Sequence, residues 1–149
     1  MMASLAIAAL AAGCGINLPT DPSGTLANTV GGTIRVGYSP EVGLIEGNDA
    51  VPTGPLVDLA EGFADEIHAK VAWSMHGEEK LVVMIEEDAL DLGVGGFTEQ
   101  TPWGERVGVT RWYTGVPGAE QRPVVMLVQS GENAFLLELE SFLDDAVGS

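Results

Sequence analysis

The chain has 149 residues, 46% of them hydrophobic, and a formal net charge of −16 from 22 acidic against six basic residues. This length is enough for one domain with a sizeable core. So large an acidic excess argues against binding to nucleic-acid phosphates or to an anionic membrane surface. The hydrophobic content excludes a disordered acidic tail, and a single cysteine excludes an internal disulfide framework.

The chain opens on an apolar run, MMASLAIAALAAGCG, in which Ser4 is the one polar residue before Cys14. The run is too short to span a bilayer as a permanent helix and is typical of the apolar region of an export signal. The stretch LAAGC resembles a bacterial lipobox, which implies that Cys14 is lipidated and anchors the mature protein. The alternative is an ordinary apolar N-terminus with a free thiol, since no Lys or Arg precedes the run.

Three parts of the chain are predicted from these patterns. Residues 1–14 form a lipoprotein-like signal segment, and residues 15–32 form a flexible linker. The linker prediction depends on the prolines, serine and glycines between Asn17 and Gly32, which show no periodicity. Residues 33–149 form the folded domain.

Strands and helices alternate along this domain. Apolar residues at every second position predict strands, and apolar residues spaced three and four apart predict helices. The predicted elements are, in chain order, a strand at 33–39, a long loop, a helix from 56 to 67, a strand at 69–75, a helix at 77–90, a short strand at 91–96, extended segments at 106–113 and 122–129, and a helix from about 135 to 147.

This order, β-α-β-α-β followed by two extended segments and a helix, predicts an α/β fold. Strands that alternate with amphipathic helices form parallel pairs joined by right-handed crossovers. We therefore expect a mixed, mostly parallel sheet of about five strands flanked by helices in three layers. Ligands bind beyond the carboxyl ends of the strands in such sheets. The loops near Tyr38–Glu41 and Gly95–Thr98 are then the expected site.

Several stretches resemble, in order and spacing, the bacterial extracellular solute-binding proteins of family 3, which serve amino-acid uptake. The stretches are GTIRVGYSPE, GPLVDLAEGFADEI, EEKLVVMIEEDALDLGVGGFT, TPWGERVGVTRWY and RPVVMLVQSGENAFLLELESFL. The resemblance implies the type 2 periplasmic-binding-protein fold, whose two lobes close on a ligand. The family inserts its second lobe after the stretch that ends here at Tyr113. Only TGVPGAEQ, residues 114–121, stands at that place, so the resemblance implies the first lobe alone with its C-terminal strand and helix.

The resemblance also implies site residues. In the family, the threonine after two glycines and the arginine of the next loop often bind the ligand's α-carboxylate, and these positions fall on Thr98 and Arg106. Gly96 lets backbone N–H groups approach a ligand, and Tyr38 and Trp112 match positions near the cleft. Each residue has a structural alternative. Arg106 could pair with a neighbouring acid, Thr98 could cap local backbone, and the two aromatic residues could serve packing.

The function that the resemblance implies is the extracytoplasmic substrate-binding lipoprotein of an ABC transporter for an amino-acid-type solute. It would be lipid-anchored outside the cytoplasmic membrane or in the periplasm, with an ABC permease as partner. The alternative is a ligand-free protein-interaction or dimerising module, with a homodimer as its product. No nucleophile with a base and an orienting group is evident, so no enzyme is predicted. Two isolated histidines do not suggest a metal site, and no cofactor is expected.

Overall fold

The structure is a computed structural model that describes residues 18–148. The predicted signal segment and Cys14 lie outside the described residues. The helices and strands are α1 (Thr25–Thr29), β1 (Thr33–Tyr38), β2 (Glu46–Asn48), β3 (Val51–Thr53), α2 (Pro55–Glu66), β4 (Lys70–Met75), α3 (Glu78–Glu86), β5 (Leu92–Val94), a 3-10 helix (Pro102–Glu105), β6 (Gly108–Val109), β7 (Leu127–Val128) and α4 (Asn133–Val147).

Five strands form one sheet in the order β4-β1-β5-β7-β6. Strand β1 is parallel to both β4 and β5, and β7 is antiparallel to both β5 and β6. Four of the five strands therefore run in one direction. The predicted mixed, mostly parallel α/β sheet is confirmed. The loop expected before α2 contains a small antiparallel hairpin of β2 and β3, which forms a sheet of its own.

Helices cover both faces of the sheet, and the alternation along β1 shows why. Ile34 and Val36 are fully buried on the face that α2 and α4 cover. There Phe63 and Phe135 meet edge to face, with ring centroids 5.6 Å apart. On the other face α3 packs closely over glycines of the strands. A Cβ built on Gly93 of β5 would lie 2.5 Å from a methyl carbon of Leu81 in α3.

The described part of the predicted linker, residues 18–32, is folded onto the domain, so the prediction of a flexible linker is wrong there. It contains helix α1, in which Thr25 and Thr29 are buried. Gly31 donates a backbone hydrogen bond to the carbonyl of Ile67, just after α2. No helix within residues 18–148 has both the length and the apolarity needed to cross a bilayer.

Two carboxylates hold this segment in place, and we call the pair Asp21 and Glu132 the clasp. Glu132 is 2% exposed and accepts hydrogen bonds from the backbone N–H groups of Ser23, at 2.8 Å, and Thr25, at 3.0 Å. Asp21 accepts one from the N–H of Ala134 in α4, at 2.7 Å. Helix N-termini leave N–H groups without helical partners, which side-chain oxygens satisfy. Glu132 thus caps the start of α1, and Asp21 caps the start of α4. Composition does not reveal this long-range relation.

The eight residues 114–121, which we call the connector, fold back onto the lobe. Val116 and Ala119 are buried in the core that α2 and α4 share with the sheet. Gly118 packs against the loop after β1, where an added Cβ would lie 2.5 Å from the carbonyl oxygen of Gly43. The connector therefore lies against the loops at the carboxyl ends of the strands.

Candidate ligand site at the strand tips

The loops that follow β1 and β5 meet beyond the carboxyl ends of these strands. The N–H of Ser39 donates to the carbonyl of Val94, at 3.0 Å, and thus continues the β1–β5 pairing into the loops. A Cβ on Gly95 would lie 3.0 Å from the carbonyl oxygen of Ser39. Because glycine carries no side chain, the two backbones approach closely here. Gly95 is buried and Gly96 is half-buried.

An acid and a base lie beside this loop. The carboxylate of Glu41 rests against Gly96, where an added Cβ would lie 2.7 Å from both its carboxyl carbon and Oε2. The other oxygen, Oε1, lies 3.3 Å from a terminal nitrogen of Arg122. The side chains of Glu41 and Arg122 are 38% and 47% exposed, so the pair is open to solvent. We call the surface formed by Gly96, Glu41 and Arg122 the strand-tip shelf; Gly95 beside it is buried.

Thr98 lies at the end of this loop. The backbone carbonyl of the preceding residue, Phe97, accepts a hydrogen bond from the N–H of Val125, at 3.0 Å, in the chain segment that leads into β7. The carbonyl of Thr98 accepts one from the N–H of Thr101, at 2.9 Å, in the turn before the 3-10 helix. Thr98 therefore lies in the loop that follows β5, four residues after Val94.

Arg106 forms a structural ion pair. Its Nε donates to Oε1 of Glu86 at 2.9 Å, and a terminal nitrogen bonds the other carboxylate oxygen. The guanidinium carbon also lies 5.6 Å from the ring centroid of Trp103, a cation–π contact. The hydrogen bond from Arg106 lowers the pKa of Glu86, although burial opposes the shift. Nε and one terminal nitrogen of the guanidinium are therefore occupied by one carboxylate.

The sheet register gives the position of Arg106 relative to β5. Gly108, two residues after Arg106, lies opposite Val128, and Val128 lies opposite Leu92 at the start of β5. Arg106 thus precedes the amino end of its strand, whereas Thr98 follows the carboxyl end of β5. Arg106 therefore lies towards the amino ends of the strands, where it pairs with Glu86, the last residue of α3.

The two predicted aromatic residues have different surroundings. Tyr38 is fully buried and meets Trp73 edge to face, with ring centroids 6.0 Å apart. Its hydroxyl has no hydrogen-bond partner within residues 18–148, and burial, together with the charge of Asp49, raises its pKa. Trp112 is 58% exposed and precedes Tyr113, which pairs with Val124 beyond the carboxyl end of β6. Of the two, only Trp112 is open to a ligand.

The shelf provides a carboxylate, a guanidinium and close-lying backbone at one surface. Such a set can bind a zwitterion, because each charged group of the ligand finds an opposite charge. Within residues 18–148, no three His, Cys, Asp or Glu side chains are arranged to hold a metal ion. Arg122 was not singled out from the sequence. Arg122 is the first residue after the connector. This position indicates a site residue only because the connector folds back onto the strand tips.

No protein-family model and no curated protein matches this chain. Similar solved structures include the arginine-bound form of domain 1 from TmArgBP, at 16% identity and a TM-score of 0.65, covering 76% of this chain and 92% of that one. An ancestral arginine-binding protein bound to arginine is 12% identical with a TM-score of 0.63, over 76% and 91% of the two chains. An arginine-specific periplasmic binding protein of Salmonella typhimurium is 11% identical with a TM-score of 0.64, over 78% and 94%. The likeness shows the fold alone: this chain has the architecture of one lobe of a periplasmic binding protein.

Proposed function

We propose that this chain is a single-lobe solute-binding protein that binds a basic amino acid, such as arginine, at the strand-tip shelf. The observation that carries the proposal is the shelf itself. Gly96 is half-buried beneath the carboxylate of Glu41, which pairs with Arg122, at the edge where open α/β sheets bind ligands. The surface is exposed, so a ligand reaches it without rearrangement of the core.

The neighbouring structures support this ligand class. Their names describe arginine-bound proteins, and one of them is the arginine-bound form of a domain 1. The formal charge of −16 on this chain favours a cationic solute, since the field of the whole protein raises the local concentration of the opposite charge. A single lobe covers less of the ligand than two lobes do, so we expect weaker binding than in a closed clamshell.

We also propose that the protein works outside the cytoplasm as the lipid-anchored receptor of an ABC uptake system. The support is the apolar run that ends in LAAGC, together with the periplasmic-binding fold of residues 33–148. Metabolic labelling with a fatty-acid analogue tests the anchor. Incorporation into the unmodified chain and its loss in Cys14→Ala are expected, whereas equal labelling of both chains contradicts the lipidation.

Thermal unfolding with a panel of the twenty amino acids tests the binding function. A ligand that binds only the native state stabilises it by about 2.7 kcal/mol at 100 times its Kd, which raises Tm by several degrees. We expect this rise with arginine or lysine. A panel in which no amino acid raises Tm contradicts the proposed function.

Two glycine variants locate the binding. Gly96→Ala places a methyl group where the carboxylate of Glu41 now rests, so it disturbs the shelf. Gly104→Ala is the matched control, because its added carbon would meet only Val109, at 3.8 Å. We expect the ligand-induced rise in Tm to fall in Gly96→Ala and to persist in Gly104→Ala. Equal rises in both variants would place the ligand elsewhere.

A further inference from the structure

We propose that Arg122 binds the α-carboxylate of the amino acid and exchanges its ion pair with Glu41 for one with the ligand. This inference rests on the function proposed above. It assigns the role to a residue that belongs to the short connection in place of a second lobe, and not to Arg106. The ligand is then an α-amino acid with a free carboxylate.

The first support is the difference between the two guanidinium groups. Arg106 uses two nitrogens on Glu86, so its planar fork is already matched to a carboxylate. Arg122 reaches Glu41 through one terminal nitrogen at 3.3 Å, and its Nε reaches the carbonyl of Ala119 at 3.4 Å. These distances exceed the 2.7–2.9 Å of a good charge-assisted hydrogen bond. Arg106 therefore has a bidentate carboxylate partner in Glu86, whereas Arg122 has none among residues 18–148.

The second support is the position of Glu41. Its carboxylate lies directly on Gly96, in the gap that the missing side chain leaves. A carboxylate thus already occupies the place on the shelf between Gly96 and a guanidinium. A ligand carboxylate has the same shape and charge, so it can take this place when Glu41 turns away. Both side chains of this ion pair are more than a third exposed. Exposed ion pairs contribute little to stability, so breaking this one for the exchange costs little.

The third support is the backbone that presents Arg122. The N–H of Arg122 donates to the carbonyl of Ala119, at 2.9 Å, and closes a turn over Glu120 and Gln121. Both of these residues have positive φ, 51° and 65°. Two successive left-handed residues define a type I′ turn, which side chains other than Asn and Gly adopt at a cost. Ala119 is fully buried, so this strained turn is fixed to the core and places Arg122 at the shelf.

Released from Arg122, Glu41 remains beside the bound ligand. The α-ammonium group of an amino acid is adjacent to its α-carboxylate, so it falls next to the freed acid. The internal ion pair is thereby replaced by two pairs between protein and zwitterion. An amine that lacks the carboxylate cannot make this exchange.

Calorimetric titration with L-arginine and with agmatine, its analogue without the carboxylate, tests the assignment. We expect the unmodified chain to bind arginine at least about tenfold more tightly than agmatine, the factor that a hydrogen bond to a charged group provides. Arg122→Gln should lower arginine affinity to the level of agmatine and leave agmatine affinity unchanged. Arg122→Lys, which keeps the charge but not the fork, should fall between. Arg106→Gln, the matched control, should bind both compounds as the unmodified chain does.

The possible failures are distinguishable. Arginine binding that is unchanged in Arg122→Gln, or lost in Arg106→Gln instead, overturns this inference and leaves the proposed function intact. Equal loss of arginine and agmatine in Arg122→Gln, in a chain whose melting is unchanged, also overturns it. An unmodified chain that binds neither compound, nor any other amino acid, refutes the proposed function and this inference with it.

Discussion

Replacing Glu132 by glutamine tests the clasp that fixes the segment before β1 to helix α4. The carboxylate is 2% exposed and accepts two backbone hydrogen bonds, at 2.8 and 3.0 Å. Hydrogen bonds to a charged group contribute about 1.5–3 kcal/mol each. Glutamine keeps one accepting oxygen but turns an NH₂ group towards the second N–H. We therefore expect a loss of about 2 kcal/mol in the free energy of unfolding, or roughly 6–8 °C in Tm.

The loss should depend on pH with a definite sign. Burial alone would raise the pKa of Glu132, but the hydrogen bonds from Ser23 and Thr25 hold it below its ordinary value of 4.5. A group with a lowered folded-state pKa stabilises the protein above its unfolded-state pKa, and that stabilisation is lost as pH falls through the folded-state pKa. The difference between the unmodified chain and Glu132→Gln should thus be full near neutral pH and shrink as pH falls below 4.5.

Urea unfolding followed by circular dichroism gives this difference at each pH. Glu138→Gln is the matched control, because Glu138 lies exposed on the same helix. It should change the free energy of unfolding by less than about 0.5 kcal/mol. Equal midpoints for Glu132→Gln and Glu138→Gln at neutral pH would refute the reasoning. So would a Glu132→Gln deficit that grows as the solution becomes more acidic.

Three further variants test other parts of the account. Gly93→Ala should lower the free energy of unfolding by about 1–3 kcal/mol, because its methyl group would lie 2.5 Å from Leu81; unchanged urea midpoints would contradict the close packing of α3. Gln121→Gly should raise stability by up to about 1 kcal/mol, since glycine accepts the positive φ of the turn without strain; a lower Tm would contradict that turn. Arg106→Gln should leave the melting curve nearly unchanged, because its ion pair with Glu86 is solvent-exposed. A large fall in Tm would contradict this and show that the pair stabilises the fold.

The sequence predicts the fold well where periodicity is strong. The alternation of Ile34, Val36 and Tyr38 and the stripe of α2 follow directly from burial on one face, and the structure has both elements within a residue or two of the predicted bounds. Strand β7 is shorter than predicted, at Leu127–Val128, although Val124 still pairs with Tyr113. Short edge segments depend on neighbours distant in the chain, which local pattern does not contain.

The folded segment before β1 could not be predicted from composition. Prolines, glycines and a serine are typical of linkers, but here two acids hold the segment against the domain. Asp21 and Glu132 are 111 residues apart, and each caps the helix that follows the other. Neither acid differs in sequence from the many solvated acids of a chain with 22 of them. Their role becomes visible only when burial and hydrogen-bond partners are known.

The sequence predicts where the candidate site lies, but not which residues form it. The rule that ligands bind at the carboxyl ends of strands indicates the loops after β1 and β5, and these loops meet in the structure. Family resemblance points to Arg106, yet that residue precedes the amino end of β6 and pairs with Glu86 at the end of α3. Arg122 reaches the shelf only because the connector folds back.

An NMR titration of the ¹⁵N-labelled protein with L-arginine tests the central claim most directly. Binding at the shelf predicts saturable shifts of the backbone amides from Gly95 to Thr98 and of Glu41 and Arg122. The amides around Arg106 and Glu86, at the opposite end of the sheet, should remain in place. Spectra without saturable changes, or with changes confined to that opposite end, would contradict the claim that the strand tips of this lobe bind an amino acid.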